Sequence, residues 1–190
     1  IFSMVKKARQ TCNILLTAFN GVDNKILISV YKIYVRSILD YASIVYSPYF
    51  MYLIDIIENV QRNFTKRLAG LSSLSYVERL NVCNLEPLEL RRIRTDMLFV
   101  YKLLHGYVNC NLLDHVNVFT GVHNTRGNLF KLSKQHAKLI IRQNHFVIRC
   151  VNNWNSLSNN IVCASSYAMF KRQLMAYTNF NLRGHAFNAS

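Results

Sequence analysis

The stretch NVQRNFTKRLAGLSSLSYVERLNVCNLEPLELRRIRTDMLFVYKLLHG, Asn59 to Gly106, alternates apolar helical faces with basic residues. Its punctuation assigns the helices. Gly70 stands where a left-handed cap would end a helix running from about Met51 to Leu68, with Leu53, Ile56, Ile57, Val60, Phe64 and Leu68 at helical spacing. Ser75 and Glu78 are spaced as a capping box, in which hydroxyl and carboxylate satisfy the free amides of a helix start, and a short helix follows to about Val82. Pro87 suits the first turn of a longer helix ending at Gly106, with Leu88, Ile93, Met97, Val100, Tyr101 and Leu104 as its core positions.

Outward from this stretch the same pattern continues. A first helix is predicted over about Phe2 to Phe19, with Val5, Ala8, Cys12, Leu15 and Phe19 on one side and Gly21 ending it. Asp23 can cap a second, whose apolar positions Ile26, Leu27, Val30, Ile33 and Ile38 carry it to about Tyr46, before Pro48. Beyond His105 the pattern loosens. GVHNTRGNLFKLSK (121–134) reads as a loop or small hairpin and HAKLII (136–141) as a short strand. Arg142 to Leu157 reads as a helix with Phe146, Val147, Cys150, Val151 and Trp154 on a broad apolar face. A last helix spans about Ser166 to Tyr177, and the tail from Asn179 reads as frayed. Only two prolines and six glycines interrupt the chain, a scarcity that favours helices, so the fold class is mainly α, with an α+β character open for the C-terminal segment.

Hydrophobic residues make up 51% of the 190, enough for a real core, yet the densest apolar run, Ile26 to Tyr46, is interrupted by Lys32, Arg36 and Asp40, so no membrane span is expected. The opening IFSMVKKARQ lacks Met, reads as the middle of a helix and does not resemble a signal peptide, which fits a piece of a longer chain. The five cysteines are odd in number, widely spaced and without C-x-x-C, which argues for reduced thiols in a nuclear or cytoplasmic protein rather than disulfides or a zinc ribbon.

Net charge is +14, and its distribution is uneven. Residues 111–190 carry nine Lys or Arg against one acid, Asp114, a segment that repels itself unless a polyanion neutralises it. Nucleic acid is the leading candidate and an anionic membrane surface the next. On the second predicted helix Lys25, Lys32 and Arg36 fall in one stripe with Ser29 between them, which could follow a phosphate backbone. On the third, Arg62 and Lys66 lie one turn apart, Arg67 on another azimuth, and Glu58 competes for Arg62 as an intrahelical partner. Arg91, Arg92 and Arg94 oppose the dipole of their helix start, with Glu86 and Glu89 in the same turn to offset them. Arg142, Arg149, Lys171 and Arg172 complete the candidate nucleic-acid contacts.

No catalytic or metal constellation is legible. The six histidines lack the four-residue spacing of a zinc protease, and neither a nucleophile elbow nor a phosphate-cradling glycine loop occurs. Two-metal polymerase chemistry needs clustered carboxylates, whereas Asp23, Asp40 and Asp55 are scattered over different helices. No catalytic residue, metal ligand or cofactor is assigned.

Together the segments resemble the region just after the polymerase palm in reverse transcriptases of non-LTR (LINE-type, jockey-like) retrotransposons. The resemblance covers roughly Val5 to Tyr177 and rests on YKIYVRSILDYASIVYSP (Tyr31–Pro48), IENVQRNFTKRLAGLSSLSYVERL (Ile57–Leu80), LEPLELRRIRTDMLFVYKLLHG (Leu85–Gly106), NTRG (Asn124–Gly127), RCVNNWNSL (Arg149–Leu157) and FKRQL (Phe170–Leu174), in that order. The family usually has Glu where Asp40 stands, Trp where Tyr46 stands and Pro where Ser158 stands, departures that suggest a diverged copy. Its catalytic [FY]-x-D-D is absent from this chain. The resemblance implies a helical thumb-like bundle over residues 1–106 and a smaller basic segment over 107–190. The implied work is to hold an RNA template with its RNA–DNA or DNA duplex, without sequence preference, for a palm and fingers carried elsewhere. A decayed or co-opted fragment serving as a protein-interaction module is the rival, marked by exposed apolar surface where the palm would dock. A basic membrane-surface protein is a weaker third.

Overall fold

The computed structural model describes residues 1–108, 130–180 and 182–183, and it is mainly helical, with no regular strand among them. In chain order the helices are α1 (Phe2–Ala18), α2 (Asn24–Tyr34), α3 (Arg36–Asp40), α4 (Met51–Lys66), α5 (Tyr76–Cys83), α6 (Leu88–Leu104), α7 (Ile140–Gln143), α8 (Phe146–Asn155), α9 (Asn159–Val162) and α10 (Tyr167–Ala176). The described residues form two compact units, one of 1–42, 48–91 and 182–183, the other of 43–47, 92–108 and 130–180. The border therefore falls inside α6, at Arg91/Arg92, and not at its C-terminal glycine.

Local chemistry sets the helix ends. The Asp23 carboxylate accepts from the Lys25 amide at 3.1 Å and starts α2. Ser75 and Glu78 form the full capping box of α5. At the end of α6 the Tyr107 amide donates to Lys102 O at 2.9 Å and the Gly106 amide to Leu103 O at 3.3 Å. This is a Schellman closure, and Gly106 holds the φ of +70° that it requires. Asn84 takes the same role after α5 at φ +47°, a conformation its short polar side chain tolerates.

The core of the first unit comes from one face each of α1 to α5. Val5, Ala8, Cys12 and Leu15 of α1 meet Ile57, Val60 and Phe64 of α4, and Leu80 and Cys83 of α5 join the same cluster. From α2, α3 and the Val35 junction between them the buried residues are Leu27, Tyr31, Val35 and Leu39, each four positions on from the last. Tyr31 stacks on Phe64 with ring centroids 4.1 Å apart. This corrects the predicted face of the second helix: Ile26 is 49% exposed and Ile33 63%, while Tyr31 is fully buried. Outside the Lys25–Ser29–Lys32 stripe that helix is apolar over a broad arc, so its periodicity alone does not choose which part of the arc is buried.

Other expectations are also corrected. The predicted single helix from Asp23 to Tyr46 is interrupted at Val35 and ends at Asp40. Ser37 Oγ donates to Ile33 O at 2.6 Å, the back-bonding that bends helices, and Ala42 then adopts φ +53°. HAKLII forms no strand; Ile140–Gln143 is a helical turn with Ile140 and Ile141 exposed. The following helix begins only at Phe146. Most of the expected loop or hairpin, and of the frayed tail, lies outside the described residues.

The second unit is built around aromatic side chains. Tyr101 of α6 stacks on Phe170 of α10 at 4.2 Å, and its hydroxyl donates to Ala164 O at 2.8 Å. Trp154, at 0% exposure, lies 5.9 Å from Phe170, and its Nε1 donates to Phe130 O at 2.8 Å. Asn155 clamps residue 132, accepting from the Leu132 amide and donating to its carbonyl, both at 2.9 Å. The buried Arg94 donates through Nη2 to Met175 O and Tyr177 O, a cation placed on the carbonyl end of α10 where the helix dipole favours it. Truncation of Trp154→Ala removes the largest fully buried side chain and one hydrogen bond, and is expected to destabilise the protein by about 3–5 kcal/mol in denaturant titration. The native fluorescence maximum should lie well to the blue of hydrated indole; a maximum like that of free indole would overturn this placement.

Candidate nucleic-acid interface

The site begins with how the acids are used. Glu58 does not pair along its helix with Arg62. It turns inward at 2% exposure, where it accepts from the Tyr76 hydroxyl and, at 2.9 Å, from the Leu88 amide at the start of α6. Asp40 and Glu86 hold Arg91 at 2.8 and 3.0 Å. Asp23 and Glu78 cap helices, and Glu89 accepts from the Arg183 amide at 2.7 Å. Asp96 binds Arg149. Seven of the nine acids are thus tied to folding contacts, six of them in the first unit.

The cations divide differently. Lys25, Lys66, Arg142, Lys171 and Arg172 are exposed, and none forms an ion pair among the described residues. Arg142 reaches Gln135 at 3.3 Å, and Arg172 rests on the Met169 sulfur at 3.0 Å, contacts that leave both charges uncompensated. Lys32 is half-buried. Arg36 is also half-buried, on the far side of the Val35 interruption, and burial together with the neighbouring Arg91 charge lowers its pKa. The predicted stripe therefore presents Lys25 fully and its other two members only in part.

Arg62 is only partly available: Nη1 donates to Asn59 Oδ1 at 2.7 Å, and the guanidinium lies 5.0 Å from the centre of the Tyr76 ring. Arg149 is withdrawn from the interface altogether. It donates to both Asp96 oxygens at 2.9 Å and to the carbonyls of Ser43 and Ile44 at 3.0 and 2.8 Å, with its side chain only 11% exposed. With Nε and Nη2 bonded inside the second unit and Nη1 reaching Asn144 O at 3.5 Å, this guanidinium offers little to a phosphate. Its flanks carry the signal that counting charges passes over: FVIRCV places one arginine among five apolar residues, a setting in which a cation is buried only with a partner. Replacing Arg149 by Ala should leave Asp96 buried without its hydrogen-bonded partner and with only the Arg92 charge to compensate it, at a cost of about 3–5 kcal/mol. Denaturant melts of Arg149→Ala test this, and a loss below about 1 kcal/mol would place the guanidinium back in solvent.

Sequence reasoning named Lys66 but missed Arg9 and set Arg67 apart on another azimuth. Between α1 and α4 runs a groove of about 440 Å³, and its lining holds three cations, Arg9, Lys66 and Arg67, and no acid. All three are exposed. Arg67 Nη1 donates to Asn13 Oδ1 at 2.6 Å, which fixes the guanidinium across the two helices. Leu16, Val60 and Phe64 form the apolar floor beside Cys12. Burial pushes the Cys12 thiol up to about 12 despite the opposing Arg67 charge, so it is an inert core sulfur. Arg9 and Arg67 lie 58 positions apart in sequence, so inspecting helices one at a time does not bring them together.

Among the described residues no three His, Cys, Asp or Glu side chains are grouped to hold a metal ion, and no helix is long and apolar enough to cross a membrane. Comparison with protein-family models, with characterised proteins and with solved structures finds no match to this chain.

The buried Glu58 makes a pH prediction. Desolvation raises its pKa above the ordinary 4.5, and the bonds from Tyr76 and Leu88 offset this only in part. The unfolded chain then ionises Glu58 first. Stability is full below about pH 4.5 and declines as pH rises from there through the raised folded value. Thermal melts of wild type and Glu58→Gln between about pH 4 and 8 should show the variant gaining on wild type as pH rises. A constant difference across that range would contradict the raised pKa.

Proposed function

We propose that this chain is a template–primer-gripping, thumb-like part of an RNA-directed DNA polymerase of the non-LTR retrotransposon kind, with the catalytic palm carried outside it. The observation that carries the reading is the division of charge: seven of the nine acids are engaged in caps, ion pairs and hydrogen bonds of the fold, while exposed cations in both units are left without an acid partner. A protein that is only soluble and basic has no need of this division. A surface meant for phosphates does, because each nearby carboxylate would compete with the polyanion. The order of the resembling segments from Val5 to Tyr177 supports the particular kind of nucleic-acid protein.

A second reading is favoured by one feature. Ile26, Ile33 and Tyr34 expose an apolar stripe on α2 at 49, 63 and 57%, the mark of a surface that seats on another polypeptide. In the first reading that polypeptide is the palm. In the second the chain is a protein-interaction module without nucleic-acid function.

Titration of a labelled RNA–DNA hybrid and a DNA duplex at several salt concentrations separates the two. Phosphate contacts predict a linear fall of log affinity with log salt, about −0.9 per phosphate neutralised on B-form DNA, and equal affinity for unrelated sequences. No binding by the wild-type chain at about 50 mM salt would eliminate the first reading and leave the second.

A further inference from the structure

We infer that the α1/α4 groove is the main phosphate seat of this chain, taking the sugar–phosphate ridge of one nucleic-acid strand between Arg9, Lys66 and Arg67, with Asn13 as the positioning residue that holds the Arg67 guanidinium ready. The inference rests on the nucleic-acid reading above and specifies where in the first unit the grip lies.

Two features of the groove point to a phosphodiester. Its charge is of one sign, since three cations and no acid line it. Its polar lining is completed by Asn13 and Asn63, which can bond sugar and phosphate oxygens but carry no charge. The buried floor argues against base recognition. Phe64 is 1% exposed and its ring is already stacked on Tyr31, so no aromatic face is left for a base.

The Asn13–Arg67 bond separates a built seat from a patch of like charges. Arg67 follows the last turn of α4 as its C-cap, and the bond reaches across to the fourth turn of α1. Guanidinium presents five donors in a fixed fork, so one can be held by the amide oxygen while the remainder stay directed at a phosphate. A long side chain fixed in advance loses less freedom on binding. The predicted stripe lacks such a device: Lys25 is exposed at the start of α2, and Arg36 is partly buried among Asp40, Glu86 and Arg91.

The test uses the full chain and a labelled RNA–DNA hybrid, with anisotropy read at several salt concentrations. Four proteins are compared: wild type, Arg9→Gln/Lys66→Gln, Asn13→Ala, and Lys171→Gln/Arg172→Gln as a control with the same loss of charge in the second unit. Melting curves of each verify that these exposed substitutions leave the fold intact. The groove double variant should flatten the log–log salt slope by about two units and weaken binding alike on unrelated sequences, and the control should change the slope by less than half as much. Asn13→Ala should weaken binding about fivefold with the slope and the melting temperature unchanged, because it removes a hydrogen bond and no charge. An unchanged slope in the groove variant, or equal flattening in groove variant and control, overturns the seat while leaving the nucleic-acid reading in place. Unchanged affinity in Asn13→Ala overturns the positioning role. Absence of wild-type binding overturns the parent reading itself.

Discussion

The first unit depends on a buried polar relay. Tyr31 donates its hydroxyl to Gln61 Oε1 at 3.2 Å, and Gln61 Nε2 donates to the Tyr76 hydroxyl at 3.2 Å and to Glu86 O at 3.0 Å. Tyr76 donates in turn to Glu58, whose other oxygen accepts from the Leu88 amide. In one connected set this joins α2, α4, α5 and the start of α6. Gln61 is fully buried, and a buried amide left unbonded would cost about 1–3 kcal/mol, so each partner constrains where the next helix can lie. Apolar packing around it has no such directional demand. Leucines and valines supply most of the burial energy, but the relay selects one arrangement of the four elements.

The same relay decides which charges reach the surface. A carboxylate at position 58 of an isolated helix would pair with Arg62 one turn on. Here the start of α6 offers it an unbonded amide and a favourable dipole, and Tyr76 supplies a second donor, so the acid goes inward. Arg62 is left to Asn59 and the face of Tyr76. With Asp40 and Glu86 on Arg91 as well, the outer surface of the unit loses acids that the composition would count against its cations. Arg79, Arg92 and Arg94 are buried as well as Glu58 and Asp96, so the relay changes which exposed cations stand without an acid beside them and not the net charge of the surface.

What was legible in the sequence was local. Asp23, Ser75 with Glu78, and Gly106 act within a few residues of themselves, and each stands where its spacing put it. Trp154 was legible because Phe146, Cys150 and Val151 define its face without help from other elements. Features set by distant partners were not. Asp40 meets Arg91 across 51 positions and Arg149 meets Asp96 across 53, and no periodicity anticipates such pairs. The buried face of α2 was misread for a related reason. Apart from the stripe of Lys25, Ser29 and Lys32 its circumference is apolar, and the choice of face fell to Tyr31, whose ring has Phe64 to stack on and whose hydroxyl has Gln61 to bond.

The candidate groove follows the same rule. Reading α1 alone, Arg9 is one of three cations near an amphipathic helix start; reading α4 alone, Arg67 lies off the azimuth of Lys66. Packing Cys12 and Leu15 in the same cluster as Val60 and Phe64 brings the two surfaces side by side, and only then do three positive charges line one channel. Like charges gathered in this way repel one another, and a fold under no other demand would place an acid among them. None is there, although the chain places carboxylates with care elsewhere, at helix starts and against Arg91 and Arg149. An unrelieved repulsion held in place by a side-chain bond is the electrostatic complement of an anion that binds there, and a phosphate backbone supplies that anion at regular spacing.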